Sequence, residues 1–152
     1  MANMHISFES PNQAEALALV AELDAYQDSL YPPEARHALD LTSVVEEGLL
    51  FALARDEAGR AVGCGAVVLS GDYGELKRVY VRPEQRGSGL AKKLLQTLEE
   101  AAVAANCRAM KLESGPYQPE ALGLYVRCGY ERCGPFGAYA DAPLSVFMQK
   151  KL

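Results

Sequence analysis

The sequence predicts an α/β protein built on one mixed β-sheet flanked by helices. Three observations carry that reading. Strand-like runs at Leu49–Arg55, Ala61–Leu69 and Glu75–Val81 follow one another with only turn residues between them, the mark of an antiparallel meander. After the meander, helix and strand patterns alternate to the C-terminus, the order of an α/β mixture. The chain has 152 residues, 49% apolar and 23% charged, the size and balance of one ordinary globular domain covering residues 1–152.

The elements follow in order. Met4–Glu9 alternates Ile6 and Phe8 with polar neighbours and reads as a first strand. Ser10-Pro11 looks like an N-cap followed by proline at the first helical position. Ala16, Leu17, Val20, Leu23 and Tyr26 then extend a helical stripe toward Leu30. Tyr31-Pro32-Pro33 ends it, because a residue before proline is pushed out of the α region. Leu39–Glu47 reads as a short second helix stopped by Gly48. In the meander, Asp56-Glu57-Ala58-Gly59-Arg60 forms one hairpin loop and Gly71-Asp72-Tyr73-Gly74 a second turn. Gly89–Asn106 is amphipathic: Leu90, Leu94, Leu95, Leu98, Ala102 and Ala105 share a stripe, and Lys92, Lys93, Gln96, Glu99 and Glu100 lie away from its centre. Arg108–Glu113 is a strand, Pro119–Arg127 a helix stopped near Gly129, and Tyr130–Cys133 and Leu144–Gln149 the last strands.

Composition narrows the function classes. No run of 18 apolar residues exists, so no transmembrane helix is expected. MANMHISFES carries an acid and no basic n-region, unlike a signal peptide, and the expected location is cytoplasmic. A net charge of −5 argues against a general nucleic-acid binder. Of the four cysteines, Cys64, Cys107, Cys128 and Cys133, three read as buried small hydrophobes, and reduced thiols are expected. No histidine joins them, so no metal site is expected. His5 and His37 read as surface or loop residues.

The most informative segment joins the third meander strand to the long helix: Val79-Tyr80-Val81-Arg82-Pro83-Glu84-Gln85-Arg86-Gly87-Ser88-Gly89-Leu90-Ala91. A glycine-rich turn that opens a helix presents unpartnered amides and the positive end of the macrodipole, and glycine lets an anion come close. Such a turn grips phosphate or pyrophosphate. The bland alternative is a strand–helix turn with glycines for conformation alone. A P-loop would need Gly-Lys-Ser/Thr, but Leu90-Ala91 follows Gly89. A dinucleotide fingerprint would place Lys92 at its third glycine, after a meander that does not suit a Rossmann opening.

Arg86-Gly87-Ser88-Gly89-Leu90-Ala91 resembles the acetyl-CoA signature, Q/R-x-x-G-x-G/A, of the GNAT superfamily of N-acetyltransferases. The preceding Val-Arg-Pro-Glu, the later Leu124-Tyr125-Val126-Arg127-Cys128-Gly129-Tyr130 and the order of elements are similar to the same superfamily, over nearly the whole chain. Details such as GELKRVYV and KLESG look like small bacterial members. The resemblance implies a GNAT fold with a central parallel strand pair splayed at the cofactor site. It implies that amides of Arg86, Gly87, Ser88, Gly89, Leu90 and Ala91 hold the pyrophosphate of acetyl-CoA. Main-chain groups along Val79, Tyr80 and Val81 would pair with the pantetheine arm. Tyr125 would protonate the leaving thiolate; its plain alternative is a core aromatic.

The acceptor amine must lose a proton, and Glu75 is the foremost candidate base. It lies six residues before Val81, roughly 20 Å back along a strand at about 3.3 Å per residue. Strict alternation puts Glu75, Lys77, Val79 and Val81 on one face and Leu76, Arg78 and Tyr80 on the other. The competing reading for Glu75 is a salt bridge with Lys or Arg, and Glu113 is a second candidate base. Tyr117 stands where some relatives place an Asn that touches the cofactor, a departure that puts this loop's cofactor role in doubt. Tyr31, Arg36, Arg78, Glu113 and Tyr139 are candidate acceptor-site residues, for a small polar amine or a peptide. The expected function is acetyl transfer to a primary amine by direct attack, without metal, nucleic acid or membrane, and a homodimer is left open. A non-catalytic acyl-CoA-binding regulator is the alternative; a nucleotide-binding oxidoreductase is disfavoured by Lys92 and the meander.

Overall fold

The computed structural model describes residues 4–35 and 48–152. The helix expected at Leu39–Glu47 lies outside them. The strands are β1 His5–Phe8, β2 Leu49–Arg55, β3 Ala61–Ser70, β4 Tyr73–Val81, β5 Ala109–Ser114, β6 Glu131–Cys133 and β7 Val146–Lys151. The longer helices are α1 Ala14–Leu30, α2 Leu90–Ala104 and α3 Pro119–Arg127, and Pro33–Ala35 and Pro83–Gln85 form single 3-10 turns. Among the described residues, seven strands join one sheet in the order β1-β2-β3-β4-β5-β7-β6. The predicted meander is β2-β3-β4, antiparallel throughout.

The sheet is cut part-way through its middle. β4 and β5 are parallel and pair only at Tyr73–Ala109, Gly74–Met110 and Glu75–Lys111. Beyond Glu75 the two strands part, while β5 stays paired along its whole length with β7. The splay expected from the resemblance is therefore present.

β4 also carries a bulge. Tyr80 faces Cys64 and Lys77 faces Ala66, so Arg78 and Val79 together oppose the single residue between, Gly65. Arg78 takes φ +57°, a region that a side chain rarely adopts and that costs energy. An extra residue shifts side-chain alternation by one, which corrects the expected faces. Leu76 and Val81 join the core under α2, with Val79 packed against it. Tyr80 joins the core under α1, and Arg78 reaches Asp24 of α1. Lys77 lies opposite Ala66, a member of the α1 core. Glu75, two residues earlier on a regular stretch, faces the same way.

α2 buries Leu90, Leu94, Leu95, Leu98 and Ala102 as its periodicity predicts, each leucine contributing about 1.5–3 kcal/mol by burial. Glu99, expected off the stripe's centre, is 9% exposed. α3 packs Leu122, Leu124 and Tyr125 on the same core. α1 covers the opposite face with Ala16, Leu19 and Leu23. Here the expected stripe is corrected: Leu17 and Tyr26 are exposed and Leu19 is buried. The helix starts at Ala14 with Gln13 as N-cap, and Ser10 instead accepts from the Asn12 amide within the preceding turn. The second hairpin turn is shorter than expected, because Tyr73 and Gly74 already pair with Ser70 and Leu69. Two cysteines rather than three are buried, Cys64 and Cys107, and all four are free thiols.

Candidate active site

The parted strands leave a cleft of about 110 Å³. Leu76, Lys77, Arg78 and Val79 of β4 form one wall, and Leu112, Glu113 and Ser114 of β5 the other. Gln27 and Tyr31 close it from the α1 side, and Ala121 and Tyr125 from α3. A strand edge that has lost its neighbour leaves main-chain donors and acceptors open to a ligand.

At the outer end of β4 the chain turns into α2. Gly87 and Gly89 both take φ +82°, and nothing lies within 4 Å of where a Cβ would stand on either. The two positions thus need glycine for conformation and leave open space before the helix. The first amides of α2 have no partner within the helix. No acid stands in its first turn, while Lys92 and Lys93 do, both exposed. This donor set fits a pyrophosphate. The Arg86 amide is already engaged by the Pro83 carbonyl at 3.2 Å, and the Arg86 guanidinium lies 6.0 Å from the centre of the Tyr80 ring. The Tyr80 side chain packs in the core under α1, donating to Glu22 of that helix at 3.1 Å.

At the inner end, where β4 and β5 are still joined, Glu75 sits in a partly buried cluster. The Tyr139 hydroxyl donates to Glu75 Oε2 at 2.6 Å, and Lys77 Nζ reaches the same oxygen at 2.9 Å. Lys77 also donates to the Tyr139 hydroxyl. Burial, then the bond to Glu75, pushes the Tyr139 hydroxyl well above the ordinary tyrosine range. Glu75 therefore has the ion pair that competed with its candidate role, and it stands at the last paired position before β4 and β5 part, next to the cleft-lining Leu76 and Lys77. Lys77 carries no signal in sequence that marks it; the bulge is what keeps it on the face of Arg78 and Tyr80.

Tyr125 lines the cleft from α3. Burial pushes its hydroxyl up to about 12. Tyr31 is 8% exposed, stacks on Tyr117 at 5.2 Å between centroids and accepts from the Tyr117 amide at 3.0 Å. Arg78 pairs with Asp24, so its charge is already balanced. Glu113 is on the cleft wall. Arg36 lies outside the described residues. Among the described residues, no helix is long and apolar enough to cross a membrane.

A model of the acetyltransferase (GNAT) family matches residues 15–130. The chain belongs to that family. The acetyltransferase is 43% identical over 154 residues to an IAA acetyltransferase of Azospirillum brasilense, covering 100% of both chains. It superposes on a Klebsiella pneumoniae protein assigned as an acyl-CoA N-acyltransferase with TM-score 0.89 and 41% identity, over 98% of this chain and 97% of that one. The fold is shared with the PaiA N-acetyltransferase of Thermoplasma acidophilum in complex with coenzyme A, at TM-score 0.75, 18% identity and coverage of 99% on each side. The acetyltransferase is thus an acyl-CoA-dependent N-acetyltransferase, and acetyl transfer from acetyl-CoA is its general reaction.

Proposed function

We propose that the enzyme transfers the acetyl group of acetyl-CoA to a primary amine of a small molecule or peptide by direct attack within a ternary complex. The observation that carries the reading is the opening of the sheet at Glu75. It joins the glycine turn at one end to Tyr125 and the Glu75 cluster at the other. Amides from Gly87 to Ala91 hold the pyrophosphate, and the free edge of β4 from Val79 to Val81 aligns the pantetheine arm. The arm supplies the thioester, the acceptor amine supplies the nucleophile, and the residues of the chain move the protons.

Glu75 takes the proton that the amine sheds as the C–N bond forms, directly or through one water. Tyr125 donates a hydrogen bond to the sulfur as the C–S bond breaks, and its proton passes to the departing thiolate. With its pKa raised to about 12, Tyr125 holds that proton throughout the neutral range. Burial that raises the hydroxyl raises a thiol in the same cleft as well, which keeps the pair matched. Tyr31, Gln27 and Glu113 line the cleft, and in this reading they meet the acceptor. The mixed aromatic and charged lining suits a small polar amine.

The test is Tyr125→Phe, read by calorimetry and by thiol release against a panel of amino acids, polyamines, aminoglycosides and short peptides. Acetyl-CoA binding is expected to persist, and the single-turnover rate to fall by about 10²-fold, the ordinary size of a general acid–base contribution. Wild-type single-turnover rates would remove the acid. Tight acetyl-CoA binding with no turnover on any amine would favour a non-catalytic acyl-CoA-binding regulator.

A further inference from the structure

A charged network of Glu99 on α2, Tyr130 just past α3 and Lys150 on β7 has no task in the reading above. Glu99 of α2 is 9% exposed. The Tyr130 hydroxyl donates to its Oε2 at 2.7 Å, and Lys150 Nζ donates to its Oε1 at 2.9 Å. Lys150 also lies 5.8 Å from the centre of the Tyr130 ring. A largely buried carboxylate in a partly buried ion pair of this kind is poor evidence for stability, since apolar side chains of the same volume often serve as well.

Tyr130 is tied to Tyr125 twice. α3 ends in a Schellman turn: Gly129 takes φ +96°, its amide donates to the Val126 carbonyl at 3.1 Å, and the Tyr130 amide donates to the Tyr125 carbonyl at 2.9 Å. That turn habitually brings the residue after the glycine against the third residue from the helix end. Here those residues are Tyr130 and Tyr125, whose rings meet edge to face at 5.8 Å and 63°.

We propose that Glu99 is a positioning residue for Tyr125: by holding the Tyr130 hydroxyl it fixes the ring against which the Tyr125 phenol is set in the cleft. The inference rests on the acid role proposed for Tyr125. The Glu99 carboxylate itself touches neither substrate nor reacting atoms.

The experiment compares Glu99→Leu, Glu99→Gln and Tyr130→Phe, each alone and combined with Tyr125→Phe. The probes are acetyl-CoA and whichever amine of the panel turns over fastest, and the readouts are single-turnover rate, acetyl-CoA Kd and Tm. Glu99→Leu is expected to slow the single turnover fivefold or more with Kd within twofold of wild type. Glu99→Gln keeps an oxygen to accept from Tyr130 and stays within twofold in rate. Tyr130→Phe keeps the ring and loses only the hydroxyl, so it follows Glu99→Leu and decides the matter if the leucine variant does not fold. On the Tyr125→Phe background neither change slows the reaction further. Loss of Tm at unchanged rate, or a full rate loss persisting without the Tyr125 hydroxyl, would overturn the inference while leaving the acid in place. A wild-type rate for Tyr125→Phe alone would overturn both, and is read separately.

Discussion

The Tyr139 hydroxyl and the Glu75 carboxylate, sixty-four residues apart in sequence, stand 2.6 Å apart where β4 and β5 begin to part. Lys77 closes the triangle, in contact with both. Glu75 thus combines two properties that compete in interpretation. It is braced as a structural ion pair is, and it lies where the sheet opens as a base must.

The two roles separate in a pH–rate profile. Glu75→Gln keeps shape and most hydrogen bonding and removes basicity. If Glu75 accepts the amine proton, turnover falls most at neutral pH, where free amine is scarce, and partly recovers at high pH as the acceptor arrives deprotonated. A purely structural Glu75 gives a lower Tm and a profile parallel to wild type. Single-turnover rates from about pH 6.5 to 9.5 for both proteins decide it, and parallel curves would move attention to Glu113.

The glycine turn gives the second prediction. Gly89 takes φ +82° with open space before it, so Gly89→Asp meets no neighbour but puts a strained backbone and a negative charge at the proposed pyrophosphate site. Acetyl-CoA affinity is expected to fall tenfold or more, about 1.4 kcal/mol, with the far-ultraviolet circular dichroism of the folded protein retained. Unchanged affinity by calorimetry in a folded variant would contradict the placement of the pyrophosphate.

The features legible in the sequence are those written in local patterns. The stripe of α2 repeats every three or four residues, and Leu90, Leu94, Leu95 and Leu98 are buried accordingly. The spacing from Tyr125 to Gly129-Tyr130 encodes a helix stop, because a positive φ just past the C-cap, here Cys128, is a glycine's task. The bulge in β4 is not so written. No glycine marks Arg78, whose positive φ accompanies the register shift against β3, with its side chain paired to Asp24 on α1. Period-two counting therefore assigns Val79 and Val81 to the face of Glu75 and Lys77, whereas both pack toward the α2 core with Leu76. Glu99 carries no mark in the pattern for a related reason: its partners Tyr130 and Lys150 lie 31 and 51 residues away, and a helical wheel holds only its own helix. In α1 the run Ala16-Leu17-Ala18-Leu19-Val20 offers apolar residues on every side, so periodicity could not choose Leu19 over Leu17.

Acid stability provides the last prediction, at the sheet edge far from the cleft. Arg55 of β2 forks between Glu9 and Glu15, with Glu9 Oε1 at 2.8 Å and Oε2 at 3.0 Å. The Arg55 hydrogen bond holds the Glu9 carboxyl down at about 2, against 4.5 for a free glutamate, with burial opposing and Ser7 and Gln13 assisting. A carboxyl depressed on folding contributes stability that is fully present above its unfolded value, and that is lost as pH falls toward its folded one. The window is therefore pH 4.5 down to about 2. Glu9→Gln should lower Tm at pH 6, where the wild-type pair is intact. The gap between the two proteins should then close as pH falls through that window, because protonation of Glu9 makes wild type resemble the variant. Thermal melts at unit steps from about pH 7 to 2 measure the gap directly. A gap that stays constant down to the lowest pH would show that Glu9 contributes through shape alone, and that Arg55 draws its charge balance from Glu15.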